Sequence, residues 1–224
     1  MFECHNPHLT GYRVEACSMN DRNEHYFTGS PRSHGLRHAY TFTVNNDTFD
    51  IHTDAGIFSG DRLDKGTAVL LDAYRAGKLV LPTELHGDVI DLGCGAGPLA
   101  LVLAHHYTSA QVWAVDVNDQ AVQACRHNAR INNCPNVVAG SPDDVPSDTR
   151  FSVLWSNPPI RIGKEQLHSL MITWLSRLAP DGVAHVVINK NLGGDSFAAW
   201  LTAQHFRVSR VTSSKGFRVL EITR

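Results

Sequence analysis

Val89-Ile90-Asp91-Leu92-Gly93-Cys94-Gly95-Ala96-Gly97-Pro98 decides how the rest of the chain is read. Its first half is a short apolar run with an acid at its end. Its second half is a glycine turn closed by a proline. Glycine adopts backbone angles that side chains exclude and lets another group approach the main chain closely. Proline suits the first position of a helix, where its missing N–H costs nothing. The stretch reads as buried strand, turn and helix, with helix amides aimed at whatever lies above the sheet.

Working outward toward the C-terminus, strand and helix patterns alternate. Asp88 to Leu92 is the first strand. Pro98 to His106 is a helix with Leu99, Val102 and Leu103 facing the core. Val112 to Asp116 is the second strand. Asn118 or Asp119 caps a helix to about Asn132, with Ala121, Val122, Cys125 and Ala129 inside. Val137–Ala139 is a short third strand, and Ser141 to Ser147 a proline-rich loop. Phe151–Trp155 is the fourth strand; Ser156-Asn157-Pro158-Pro159 must leave it, because two prolines cannot remain in a central strand. Glu165 to Leu178 is a helix stopped by Pro180-Asp181-Gly182. Val183 to Ile188 is the fifth strand, Asp195 to Gln204 a helix, and Phe206–Val211 and Phe217–Ile222 a last pair joined by a short turn. Apolar strands alternating with amphipathic helices mean a mostly parallel sheet covered on both faces, with the last pair antiparallel.

Working outward toward the N-terminus, the region 26–87 reads as a hairpin and helix that pack on this core. Tyr40–Val44 and Thr48–Thr53 alternate apolar and polar residues around Asn45-Asn46-Asp47, which is hairpin chemistry. A helix from about Asp64 shows Ala68, Leu71 and Tyr74 on one face and stops at Gly77. Residues 1–25 form an irregular polar arm. The expected organisation is an arm (1–25), the hairpin and helix (26–87) and the core (88–224), with 26–224 as one compact domain.

Composition narrows the class. Of 224 residues, 42% are hydrophobic and 19% charged, enough for a packed core. A net charge of −2 argues against a basic nucleic-acid coat but leaves local patches open. Five cysteines without a C-x-x-C pair read as reduced thiols, not a disulfide frame or zinc site, and the scattered histidines form no metal motif. No apolar run reaches membrane-span length and no signal peptide opens the chain, so a cytoplasmic protein without membrane or metal is expected.

Two cofactor classes use a glycine turn after the first strand of such a sheet. The dinucleotide pattern G-x-G-x-x-G requires a third glycine where this chain has Pro98. The order Asp91-x-Gly93-x-Gly95-x-Gly97 instead resembles the first motif of class I S-adenosylmethionine-dependent methyltransferases. That resemblance implies a Rossmann-like α/β fold: a seven-stranded, mostly parallel sheet with an antiparallel last pair, plus the N-terminal hairpin and helix extension. Asp91 suits a cofactor with a cationic methionine amine and no phosphate. Asp116, closing the second strand, can accept from both ribose hydroxyls, and Val117 beside it joins the cofactor-binding set.

Ser156-Asn157-Pro158-Pro159 ends the fourth strand across the crevice from the glycine turn. A planar amine must be held by both N–H bonds with its lone pair aimed at the methyl carbon. Asn157 supplies a side-chain acceptor, and Pro158 a main-chain carbonyl without a competing N–H. Catalysis is then positioning and electrostatic fit, without a strong general base. The tetrapeptide resembles the Asn/Asp/Ser-Pro-Pro-aromatic motif of enzymes that methylate planar amino groups. Here Ile160 replaces the aromatic and offers apolar contact without π-stacking; Phe27, Tyr26 or Phe58 are candidates for the missing ring. Asn157 and Pro158 are the expected catalytic residues, with Asn157 also touching the cofactor. Pro159, Ile160, Arg161 and Lys190 are the expected substrate contacts.

Together with His25–Phe27, Thr53–Ser59 and Arg62-Leu63-Asp64-Lys65-Gly66-Thr67, these motifs resemble the "small-domain" methyltransferases over about residues 25–224. That family includes the bacterial small-subunit ribosomal RNA guanine-N2 methyltransferases. The resemblance implies that Phe58 and Thr67 flank the cofactor; as plain residues, Phe58 reads equally as a core aromatic and Lys65 as a solvated lysine. Enzymes of that kind often carry a degenerate second copy of the domain upstream. No such copy is read in this sequence, so the docking surface it would supply is expected to be absent. Arg161, Lys164 and Lys190, with Arg32, Arg37, Lys215 and Arg218, are candidates for a phosphate-binding rim, although any one of them reads more readily as a surface charge, and Arg161 and Lys190 equally as either. The expectation is a methyltransferase acting on an exocyclic amine of an RNA base, with guanine N2 of small-subunit ribosomal RNA as the first candidate. The alternatives are a protein-glutamine or small-molecule N-methyltransferase, and a non-catalytic assembly factor that binds cofactor or RNA.

Overall fold

A computed structural model of the chain describes residues 38–53, 62–159, 163–190 and 193–224. A two-stranded hairpin, β1 (His38–Val44) and β2 (Asp47–Thr53), is followed by α1 (Lys65–Arg75). The order then runs β3 (Asp88–Leu92), α2 (Pro98–His106), β4 (Val112–Val115), α3 (Asp119–Ile131), β5 (Val137–Gly140) and β6 (Phe151–Ser156). It ends with α4 (Lys164–Leu175), β7 (Leu178–Asn189), α5 (Gly194–Ala203), β8 (Arg207–Ser214) and β9 (Phe217–Thr223). One sheet has the order β5-β4-β3-β6-β7-β9-β8. It is parallel through β7 and antiparallel at β7–β9 and β8–β9.

This order places β3 and β6 side by side at the centre, with Leu92 opposite Ser156. The turns that follow the two strands therefore leave the same end of the sheet as neighbours, where the strand order reverses and ligands bind in open α/β sheets. Both strands are apolar on both faces because both faces are covered. Val89, Val153, Val183 and Val219 face one core, shared with the hairpin, α1, α2 and α3. Ile90, Leu154, Ala184 and Leu220 face the other, shared with α4 and α5.

The hairpin matches its sequence reading. Phe42 opposes Phe49 with ring centroids 5.1 Å apart, and Asn45 takes the left-handed φ of 55° that the tight turn requires. Its outer edge is covered by side chains. Asn132 Oδ1 accepts from the Asp50 amide and Asn132 Nδ2 donates to the Asp50 carbonyl. Asn128 does the same for His52, and its Nδ2 also donates to the Ala96 carbonyl. The geometries match: four residues of helix advance about 6.0 Å and two residues of strand about 6.6 Å.

Several boundaries differ from the sequence reading. The α4 helix ends at Leu175, and Leu178-Ala179-Pro180-Asp181-Gly182 belongs to β7 instead of stopping a helix. Leu178 pairs with Phe151, and pairing resumes at Val183 opposite Val153. Pro180 has no N–H for the ladder, so the strand bulges there. The α1 helix buries Val69, Leu70, Leu71 and Ala73, whereas Ala68 and Tyr74 are half-buried, because the sheet and α2 cover it from two sides. The α2 helix is buried throughout Leu99–Ala104, not along one stripe, since the hairpin and α1 cover its outer side. Asp116 lies one residue beyond β4. Cys94, Cys125 and Cys134 are free buried thiols, as expected; Cys4 and Cys17 lie outside the described residues. No helix among the described residues is long and apolar enough to cross a membrane.

Candidate functional site

The turn after β3 is built from backbone. Gly93, Gly95 and Gly97 have φ of 75°, 53° and 90°, in the region that strains any side chain. The Gly93 and Cys94 amides donate to the Val115 carbonyl at 2.8 and 3.0 Å, tying the turn to β4. A Cβ on Gly97 would lie 2.5 Å from the Cys125 sulfur, so α2 starts only because that position is glycine. A Cβ on Gly95 would meet no described atom within 4 Å, which marks the open side of the turn.

Two carboxylates frame it. Asp91 is buried; its Oδ2 accepts from the Ala100 amide at 2.9 Å, and its Oδ1 has no hydrogen-bond partner among the described residues. Burial pushes its carboxyl up to about 8, opposed by the Ala100 amide and reinforced by the charge of Asp116. An unpartnered acidic oxygen beside an open glycine turn suits the ammonium of S-adenosylmethionine, so the residues present fit that group. Asp116 is half-buried, and it does more than its sequence reading assigned. Its Oδ2 accepts from the Gly95 amide and its Oδ1 from the Asn118 amide, both at 2.9 Å. It shapes the turn while each oxygen keeps a lone pair for a ribose hydroxyl. Val117 is 83% exposed and offers bare apolar surface next to it.

The turn after β6 is held differently. Ser156 is buried and its hydroxyl donates to the Leu92 carbonyl at 2.7 Å, locking the two strand ends together. Asn157 is half-buried, and its Nδ2 donates to Asp64 Oδ1 at 2.6 Å and to Thr67 Oγ1 at 3.1 Å. Pro158 is buried and Pro159 exposed, and a Cβ on Gly93 would lie 3.8 Å from Pro159 Cδ, so the two turns face each other. Thr67, expected beside the cofactor, is buried and bonded to Asn157. Asp64, read from sequence only as a helix start, is thus part of the site. The sequence carried a hint without the partner: Gly66 stands in the first helical turn, and a glycine there marks a close approach by a group that the sequence does not name.

Among the described candidates for the basic rim, one is taken up by the fold. Arg218 is buried and ion-paired with Asp195, so it works within the fold, whereas Lys215 is exposed and pairs with Asp72 at the surface at 3.4 Å. Lys164 and Lys190 are exposed, Lys190 with its amide on the Gly216 carbonyl. Lys65 is exposed, as a solvated lysine should be. Tyr26, Phe27, Arg32, Arg37, Phe58, Ile160 and Arg161 lie outside the described residues.

Comparison with known proteins points the same way as the geometry. Residues 48–221 match the methyltransferase small domain family. The uncharacterized protein YbxB of Bacillus subtilis is 30% identical over 201 residues, covering 88% of this chain and 97% of its own. Ribosomal RNA small subunit methyltransferase C of Alcanivorax borkumensis is 32% identical over 168 residues, 73% of this chain, but the chain spans only 49% of that enzyme. Among solved structures, the 16S rRNA N2 methyltransferase RsmC of T. Thermophilus, in complex with AdoMet and guanosine, superposes with a TM-score of 0.69. That match has 23% identity and covers 83% of this chain and 50% of the other, a likeness of fold. The chain belongs to the methyltransferase small-domain family, and with it to the S-adenosylmethionine-dependent methyltransferases.

Proposed function

We propose that this methyltransferase modifies an exocyclic amino nitrogen of a base in RNA, guanine N2 of small-subunit ribosomal RNA, in the cytoplasm. The observation that carries the reading is the Asn157 amide, held by Asp64 and Thr67 in a proline-locked turn that faces the glycine turn. Similarity to ribosomal RNA small subunit methyltransferase C supports RNA as the acceptor class.

When bound, S-adenosylmethionine would supply a methyl carbon on a positively charged sulfur that leaves as a neutral thioether, and the proton given up by the methylated amine would pass to water. The chain's part is to bind and orient. Asp91 and Asp116 would hold the two polar ends of the cofactor, and the glycines would leave room for it against the backbone. The Asn157 side-chain oxygen and the Pro158 carbonyl accept the two N–H bonds of the amine. That pulls the nitrogen's lone pair out of conjugation and toward the crevice. Lys164 and Lys190 meet phosphates at its edge. The targeted base enters unstacked, as bases modified in this way do.

Incubation of the purified protein with labelled cofactor and small ribosomal subunits, ribosomal RNA or total cell protein tests the reading. Label in the RNA, on guanine N2 after digestion, is the expected result. Label only in the protein fraction would overturn the RNA acceptor in favour of a glutamine amide. Bound cofactor with no label anywhere would point to a binding module.

A further inference from the structure

We propose that Asp64, Gly66 and Thr67 form a socket that positions the Asn157 side chain and decides which end of its amide meets the acceptor. The proposal rests on the reading of Asn157 as the acceptor-orienting residue. Asp64 Oδ1 accepts from the Gly66 amide at 2.7 Å and the Thr67 amide at 3.2 Å, capping α1. The same oxygen accepts from Asn157 Nδ2 at 2.6 Å, across 93 residues of sequence. A carboxylate cannot donate, so the end of the amide that faces Asp64 must be nitrogen. Thr67 Oγ1 takes the second N–H at 3.1 Å. With both N–H bonds given acceptors inside the protein, the carbonyl oxygen is the end left to accept from an amine.

Gly66 completes the socket. A Cβ there would lie 2.8 Å from Asn157 Oδ1, 3.0 Å from Asp64 Oδ1 and 3.1 Å from Phe217 Cε1. Ordinary helix economics favour alanine over glycine in a helix by about 1 kcal/mol. The glycine in Asp64-Lys65-Gly66-Thr67 is therefore explained by the room it leaves for the Asn157 oxygen, with Phe217 as the opposite wall. Each residue of the tetrad except exposed Lys65 has a defined part: Asp64 turns the amide, Thr67 holds its second hydrogen, and Gly66 makes space for its oxygen. These are positioning residues, acting on the acceptor only through Asn157.

The test uses the full chain and three variants. Asp64→Ser keeps an N-cap oxygen for α1 but is too short to hold Asn157 as well. Asp64→Asn keeps one oxygen in place for all three bonds. Gly66→Ala fills the space beside the amide oxygen. The first readout is the pair of Asn157 side-chain amide resonances, assigned by their disappearance in Asn157→Ala. The second is kcat against cofactor KM with small ribosomal subunits. In Asp64→Ser the amide pair should shift and exchange faster with solvent. Its kcat should fall about 10²-fold, with cofactor KM within about threefold and Tm within a few degrees of wild type. Asp64→Asn should recover kcat to within about fivefold. Gly66→Ala should lose kcat without a matching loss of Tm.

Amide resonances in Asp64→Ser that coincide with wild type would overturn the socket, as would equal losses in Asp64→Ser and Asp64→Asn. Should the wild-type protein leave RNA unlabelled, the RNA reading fails while the amide resonances still decide the socket.

Discussion

The two turns that leave β3 and β6 sit side by side and are built on opposite principles. The glycine turn is mostly local, with a tie from Asn128 farther along the chain. Its three positive-φ glycines, the proline that opens α2 and its bonds to the adjacent β4 end lie within some 25 residues of chain. The proline turn is assembled from afar: Ser156 reaches Leu92, and Asn157 reaches Asp64 and Thr67, about 90 residues back. A cofactor common to many enzymes can be met by backbone shape. An acceptor that differs between enzymes is met by side chains, which are free to change as long as the distant partner changes with them.

The largest effect should come from breaking the second turn. Asn157→Ala is expected to lower kcat about 10²–10³-fold while cofactor affinity is largely kept, as read by turnover beside calorimetric titration. Equal loss of both would mean that the two turns do not divide the work. Breaking the first turn should act on folding as well as binding. Gly97→Ala places a Cβ at φ 90° against the Cys125 sulfur and should cost on the order of 3 kcal/mol in denaturant unfolding, with cofactor affinity falling too. An unchanged unfolding midpoint would show that the turn relaxes freely.

Asp116→Ala should be milder, weakening cofactor binding about tenfold and stability by about 1 kcal/mol through the lost Gly95 and Asn118 bonds. Unchanged affinity would confine Asp116 to shaping the turn. The smallest effect is protonic. Asp91 holds its proton up to about 8 in the ligand-free protein, so binding a cationic amine at neutral pH should release about one proton. Calorimetry in two buffers of different ionisation enthalpy reads that number, and affinity should rise with pH and level off above about 8. In the free protein the sign is opposite. The folded carboxyl keeps a proton that the unfolded one, with its value of 3.8, has lost. The stability contribution of this group is full below 3.8 and declines as pH rises to about 8. Asp91→Asn should abolish both trends.

Much of this architecture can be read along the chain. β3 and α2 have the expected ends, and the hairpin and the strands of the sheet, apart from the start of β7, stand where alternation and turn residues put them. The misreadings share one cause, which is packing against partners remote in sequence. Pro180-Asp181-Gly182 looks like a helix stop but is a bulge that fits β7 to β6. Arg218 looks like a surface base but is buried against Asp195. Asn128 looks like one polar helix residue among several, yet it is fully buried and joins the hairpin to the glycine turn.

The sequence by itself determined the strand–turn–helix around Gly93–Gly97, because glycine, proline and apolar runs act through local backbone angles and burial. It also carried the resemblance on which the cofactor rests. The tertiary structure alone decided that Asp64, Gly66 and Thr67 belong to Asn157, and that Arg218 serves the fold instead of the rim. A hydrogen bond across 93 residues leaves no periodicity to detect. It exists only once β6 lies beside β3 and the start of α1 is brought to the same end of the sheet.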